Sequence, residues 1–287
     1  MGTSQRMELS LTISTPGPRS APILFTGEFS EQIERAAAIG FKAVELHIRD
    51  PQTVDRRSIL RALGKTGMAV STIGTGRAYG EDKIFFTSPD RDVRKAAVKR
   101  IKDQIDFSSS LGAKVIIGLI RGPFPDEEAE RARAGTDATE CLKECADWAI
   151  KNGIQLAVEA INRYETNFLT TAEETDRWIR EADSEAAGLH LDTFHMNIEE
   201  VSIEKAIRNH ANRLMHVHLA DSNRWAPGMG HLDFESILRT LQGTGYRGFL
   251  GLECLPVPSP QKAAEHSFRY LEDLLSRIEE RSIIERI

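Results

Sequence analysis

The strongest constraint in this sequence is an alternation. Eight short apolar stretches, at residues 7–14, 43–48, 68–75, 114–120, 154–161, 188–192, 214–220 and 248–255, are separated by stretches of helical period. The first apolar stretch, MELSLTIS, repeats with a period of two and predicts a strand, and KVIIGLI is almost wholly apolar, as a parallel strand buried on both faces should be. Helices are predicted over 29–39, 54–65, 93–111, 127–152, 171–181, 202–212, 234–241 and about 259–281. Gly40, Gly67 and Gly112 stand where the first three should stop, and Thr170 or Thr171 where the fifth should start. Strict alternation demands parallel strands joined by crossover helices. Eight such units in 287 residues, with no linker, suit one closed (β/α)8 TIM barrel spanning residues 1–287. Residues 1–6 are expected to be a flexible lead. The Pro/Gly/Ser-rich loop after the first strand reads TPGPRS and lacks the GxGxxG of an open dinucleotide-binding sheet.

Charge and cysteine usage exclude several function classes. A net charge of −6 and a pI near 5.8 argue against a nucleic-acid partner. No apolar run approaches the roughly 20 residues of a membrane helix, and the N-terminus has no charged-then-apolar leader pattern. Cys141, Cys145 and Cys254 read as reduced, half-buried thiols of a cytoplasmic protein. The first two share a helix face, but no second ligand pair accompanies them.

Chemistry in such a barrel belongs at the C-terminal ends of the strands. Those ends carry Glu45 and His47 on the second strand, Glu159 on the fifth and Asp192 on the sixth. His216 and His218 follow on the seventh and Glu253 on the eighth. A single acid or imidazole at a strand end has a bland explanation. Four consecutive strands that converge such groups would repel one another without a cation. Two glutamates, one aspartate and one histidine make a mixed oxygen and nitrogen shell suited to Mn²⁺, Co²⁺ or Mg²⁺. The two glutamates flank the set. With a 2-keto sugar between them, one would remove a proton α to the carbonyl and the other would return one to the opposite face. A metal would stabilise the enediolate formed between.

Four segments carry a family resemblance: VEAINRYE (158–165), HLDTFHMNIEE (190–200), HVHLADSNRWAPGMG (216–230) and GLEC (251–254). Together they resemble the ketose 3-epimerases, the D-tagatose/D-psicose 3-epimerase group of the xylose-isomerase-like barrels. The resemblance covers the C-terminal half. It implies a metal-dependent sugar epimerase of the isomerase class that inverts C3 of a ketose. One divalent ion, Mn²⁺ first with Co²⁺ or Mg²⁺ as alternatives, would be held by Glu159, Asp192, His218 and Glu253. Glu159 and Glu253 would double as the acid/base pair. Glu165, His195 and Arg224 would bind substrate hydroxyls or the carbonyl region. His216 is expected to turn away from His218 as a supporting or core residue. A small-molecule sugar is the implied partner, with no nucleic acid and no membrane, in a homodimer or homotetramer. The last helix (Tyr270, Leu271, Leu274, Leu275) would serve the barrel wall or such a partner.

The N-terminal half is not matched residue by residue. Its loops contain Arg77, Tyr79 and Arg121. The two arginines would either bind a phosphate or carboxylate on the substrate, or be solvated or pair with acids of the chain. Rival functions on the same site are an aldose–ketose isomerase and a keto-sugar or keto-polyol lyase or dehydratase. Deuterium incorporation at C3 and product configuration separate them. Two remoter rivals are a repair endonuclease and a non-catalytic sugar-binding barrel. The first would show Asp-x-His after the seventh strand, where this chain has Gly230-His231-Leu232-Asp233; the second would be expected to lack a ligand.

Overall fold

The structure is a computed structural model that describes residues 6–16 and 22–284. Most of the expected N-terminal lead and much of the Pro/Gly/Ser-rich loop lie outside the described residues. The strands are β1 (Glu8–Ser14), β2 (Phe25–Thr26), β3 (Ala43–His47), β4 (Ala69–Gly74) and β5 (Lys114–Ile117). They continue as β6 (Leu156–Glu159), β7 (Ala187–Asp192), β8 (Leu214–Leu219) and β9 (Phe249–Leu252). Every pairing is parallel, in the order β1-β3-β4-β5-β6-β7-β8-β9, and β9 pairs back onto β1 to close an eight-stranded barrel. The two-residue β2 adds a short flap beside β1.

The helices are α1 (Phe29–Ile39), α2 (Arg56–Thr66), α3 (Arg91–Ser109), α4 (Glu128–Asn152) and α5 (Ala172–Ala182). After them come α6 (Thr193–Glu199), α7 (Ile203–His210), α8 (Phe234–Gly243) and α9 (Pro260–Ile284). Helix ends follow the expected chemistry. Gly67, at φ 72°, caps α2 in the left-handed conformation that glycine adopts freely, and Thr171 caps α5 by accepting from the Glu174 amide. Leu271, Leu274 and Leu275 of α9 are buried in the wall, and Tyr270 is half-buried there.

Alternation along β1 sets the layers. Leu9, Leu11 and Ile13 are buried against the helices, whereas Thr12 bonds to the Leu252 carbonyl and Ser10 to the Ser71 hydroxyl. The layer between sheet and helices is therefore apolar, while the barrel interior is polar.

Some expectations need correction. The strands end earlier than their apolar runs: β5 stops at Ile117 and β6 at Glu159, because apolar Ile120 and Ile161 lie beyond the last ladder pair. The residues that follow Arg77, Ala78–Asp82, form a π-helical turn, and a helix absent from the predicted set, α6, begins directly after Asp192. Cys141, Cys145 and Cys254 are fully buried rather than half-buried, and all are free.

Candidate active site

Register brings the strand-end groups together. Glu159 pairs beside His190, Asp192 beside His218, and His218 beside Gly251, so the ends of β6 to β9 form one rim with Glu253 just past β9. Glu159, Asp192, His218 and Glu253 each offer a ligand atom, and those atoms lie within 4.8 Å of one another. The first three are buried and Glu253 nearly so.

His218 Nδ1 lies 3.6 Å from Glu253, 3.8 Å from Asp192 and 4.0 Å from Glu159. It is buried and has no hydrogen-bond partner among the described residues. Its other nitrogen is committed, since Nε2 lies 2.9 Å from Glu45 Oε2. A carboxylate behind one nitrogen leaves the other aimed at three carboxylates. That is the arrangement in which a metal-ligating histidine is held. Three carboxylates and one imidazole, with a bare nitrogen among them, fit a hard or borderline divalent cation.

Glu45 is the hub beneath this rim. Its carboxylate also meets His216 Nε2 at 3.1 Å and His47 Nε2 at 2.7 Å, and accepts from the Thr72 hydroxyl. Burial pushes Glu45 up, but His218, His216 and His47 outweigh it and hold the carboxyl well below the usual range. His216 therefore points into the barrel beside His218, not away from it, because residues two apart on a strand share a face. Burial pulls His216 down to about 4, so its ring is neutral. Burial opposes protonation of His218 as well, but Glu45 and Glu253 raise it well above the ordinary range. His190 packs edge-on against His218 with ring centroids 4.1 Å apart, and both its nitrogens are buried without partners.

The two flanking glutamates differ. Burial, reinforced by Glu253, drives Glu159 well above the usual carboxylate range. Burial also pushes Glu253 up, but Arg224 and His218 outweigh it and leave that carboxyl below the ordinary value. Arg224 bridges the rim. Its Nη1 donates to Asp192 Oδ2 at 2.6 Å and its Nη2 to Glu253, from a backbone at φ 62° that side chains other than glycine seldom adopt. Asp192 is simultaneously the cap of α6, accepting from the Phe194 amide at 2.8 Å. Arg224 thus sits on two carboxylates of the rim, as well as lining the cleft above it.

His195 stands in the first turn of α6, held by the Asn162 side-chain amide, which donates to Nδ1 at 2.6 Å. Its Nε2 lies 3.8 Å from Glu159 and 4.0 Å from Asp192, and burial pulls it down to about 4. Asn162 also donates to Glu165 Oε1 at 3.0 Å, so one amide orients two of the three expected substrate contacts. Nothing in the sequence pattern singled out Asn162; only the proximity of the β6 exit to α6 reveals it.

A cleft of about 330 Å³ opens over the rim, a volume suited to a small metabolite. Glu159, Glu165, His195, His218, Arg224 and Glu253 line it, with Ile23, Ile116, Leu119, Ile161 and Arg77 on other walls. Tyr79 packs on Phe85. Arg77 is engaged by Glu81 at 2.6 Å and by Ser14, Thr15 and Pro16. Arg121 does not face the cleft. It is fully buried and spends its donors on the carbonyls of Gly118, Phe168 and Leu169 at 2.8–3.2 Å. It serves as an internal clamp, neither a phosphate ligand nor an ion-pair partner.

Comparison with known proteins agrees with this geometry. Residues 33–274 match the model of the xylose isomerase-like TIM barrel family. A ketose 3-epimerase of Arthrobacter globiformis is 30% identical over 233 residues, covering 79% of each chain. An L-ribulose 3-epimerase of Mesorhizobium japonicum is 30% identical, covering 79% of this chain and 75% of the relative. A crystal structure of a Methylomonas D-allulose 3-epimerase superposes with a TM-score of 0.80 at 24% identity, over 94% of this chain and 98% of that one, and shares the fold. The chain belongs to the xylose isomerase-like TIM barrel family and, within it, to the ketose 3-epimerase group.

Proposed function

We propose that this protein is a divalent-ion-dependent epimerase that inverts C3 of a ketose. The observation that carries the reading is the placing of two carboxylates. Glu159 and Glu253 line one cleft, with ligand atoms within 4.8 Å of those of Asp192 and His218. Two carboxyl groups in reach of one bound substrate can serve as base and acid in turn.

In the proposed reaction Glu253 takes the C3 proton, and the electron pair of that C–H bond moves into the C2–C3 bond while the carbonyl oxygen becomes anionic. Glu159 then delivers its proton to C3 from the opposite face as the carbonyl re-forms. The pair ends with its protonation states exchanged, and the reverse reaction uses the same groups in swapped roles. Glu159, Asp192, His218 and Glu253 would hold a divalent ion, whose Lewis acidity would stabilise the developing oxyanion. Mn²⁺ is the favoured ion for this oxygen-rich shell, with Co²⁺ or Mg²⁺ as alternatives. Arg224, His195 and Glu165 would orient the substrate. His195, neutral and held by Asn162, presents Nε2–H as a fixed donor. The family relationship supports a sugar substrate.

The test is proton exchange. In D₂O with Mn²⁺ present and a panel of free ketoses, deuterium should enter C3 as the C3 epimer appears. Glu159→Gln should abolish formation of the C3 epimer in a folded barrel. Deuterium at C2 of an aldose product, with exchange at C1 of the recovered ketose, would replace this reading with an aldose–ketose isomerase.

A further inference from the structure

Three side chains around this site lean across the barrel wall onto the neighbouring strand, and in each case the residue beneath is glycine. Glu159 leans over Gly118 at the exit of β5, His218 over Gly251 of β9, and His47 over Gly74 of β4. A Cβ on Gly118 would stand 2.8 Å from Glu159 Oε2. A Cβ on Gly251 would stand 2.8 Å from His218 Cδ2 and 3.1 Å from His216 Nε2.

We propose that Gly118 and Gly251 are positioning residues, bare places in the wall that seat Glu159 and His218 at the height the ion site requires. The proposal rests on the reading of those two side chains as ligands. Local packing separates a seat from a mere lack of room. Around a Cβ at Gly118 the other neighbours, Ile161 Cδ1 and Ile116 Cγ2, lie at 3.7 and 3.8 Å, which is ordinary contact. The carboxylate alone is in the way. Gly118 cannot retreat, because its carbonyl accepts from both the Arg121 amide at 3.1 Å and Arg121 Nη1 at 2.9 Å. At Gly251 the His218 ring is pinned from behind by Glu45.

Restoring ordinary contact would displace either side chain by about 0.6 Å, against a tolerance of about 0.2 Å in ion–ligand distances. The shift is therefore large for coordination and small for packing. Polar partners that orient ligands are worth about 10- to 100-fold in ion affinity, and seats that fix the same groups should act on the same scale.

The experiment is a calorimetric titration of the ion-free chain with Mn²⁺ alone, for the parent, Gly118→Ala and Gly251→Ala. Gly64→Ala serves as a control, since its added Cβ, on α2, meets nothing within 4 Å. Each of the two variants should bind Mn²⁺ at least tenfold more weakly, with unchanged far-ultraviolet circular dichroism and a Tm within a few degrees of the parent. The control should bind as the parent does. Folded variants that bind within twofold of the parent would overturn the proposal. So would failure of both to fold, because the glycines would then be packing requirements. A parent that binds Mn²⁺ but turns over no ketose refutes the epimerase reading and leaves the seats under test. A parent that binds no Mn²⁺ refutes the ion site and the seats together.

Discussion

Replacing Glu45 with alanine would remove the acceptor that His47, His216 and His218 share at 2.7–3.1 Å and that the Thr72 hydroxyl also uses. Glu45, Thr72, His216 and His218 are almost wholly inaccessible, so water cannot take its place without entering the cavity left behind. Each orphaned buried donor costs about 1–3 kcal/mol. Relief from burying a carboxylate offsets part of that sum. The net loss expected is about 3–5 kcal/mol, the range for breaking a buried charged pair from one side. A second effect is separable. Without Glu45 behind Nε2, the His218 ring is no longer held with Nδ1 toward Asp192 and Glu253, and ion affinity should fall about 10- to 100-fold. Glu45→Gln keeps the volume and one acceptor but loses the charge, so it should lose less than half as much stability and still weaken ion binding. Urea unfolding of the ion-free protein at neutral pH reads the first effect, and Mn²⁺ titration reads the second. If Glu45→Ala unfolded within about 1 kcal/mol of the parent and bound Mn²⁺ equally well, the hub assignment would be wrong.

Three further outcomes are expected. Chelation with EDTA should abolish turnover and added Mn²⁺ or Co²⁺ should restore it; full activity after verified ion removal would refute the ion's role. Arg224→Ala should lower kcat/KM for a free ketose at least tenfold in steady-state assays, since it takes the cation from Asp192 and Glu253. Hydrogen bonds from the Arg163 side chain and amide hold Glu199 below its ordinary value of 4.5. The folded state then binds that proton less readily than the unfolded state. The stabilisation is complete above 4.5 and disappears as pH falls through the lower, folded value. Glu199→Gln should therefore be less stable than the parent at about pH 6 and converge with it toward about pH 3 in urea midpoints.

The alternation of elements was legible because strand and helix periods differ and because glycines mark the stops. Strand ends were less so. Ile120 and Ile161 prolong the apolar run past the last ladder bond, since one is core and the other lines the cleft. The rim was readable as a cluster: Glu159, His218 and Glu253 line one cleft, and Asp192 lies within reach of all three. The hub was not. Glu45 meets His216 and His218 across more than 170 residues of chain, and only the closure of the barrel brings them together. The direction of His216, by contrast, follows from the strand period alone, since residues two apart on β8 share a face. Helix α6 went unread because its cap is Asp192, whose site chemistry hides an ordinary helix start. For Arg121 the sequence leaves an anion ligand and a solvated or ion-paired arginine open; the side chain instead turns inward to carbonyls.

Arg121 also bears on how a substrate reaches the cleft. Its guanidinium joins the β5 exit to the Phe168–Leu169 segment of the loop that carries Glu165. Prising that loop outward would strip a buried cation of its carbonyl partners and draw it away from the charge of Glu159, a penalty of several kcal/mol. That quadrant of the rim is therefore a hinge-free wall. The neighbouring stretch of rim, after β4, is fastened differently. There Arg77 reaches Glu81, Ser14, Thr15 and Pro16 from a partly solvated position, through contacts that water can replace one at a time. Entry and exit of sugar should run past Arg77, while the Glu165 side of the cleft stays fixed through each turnover.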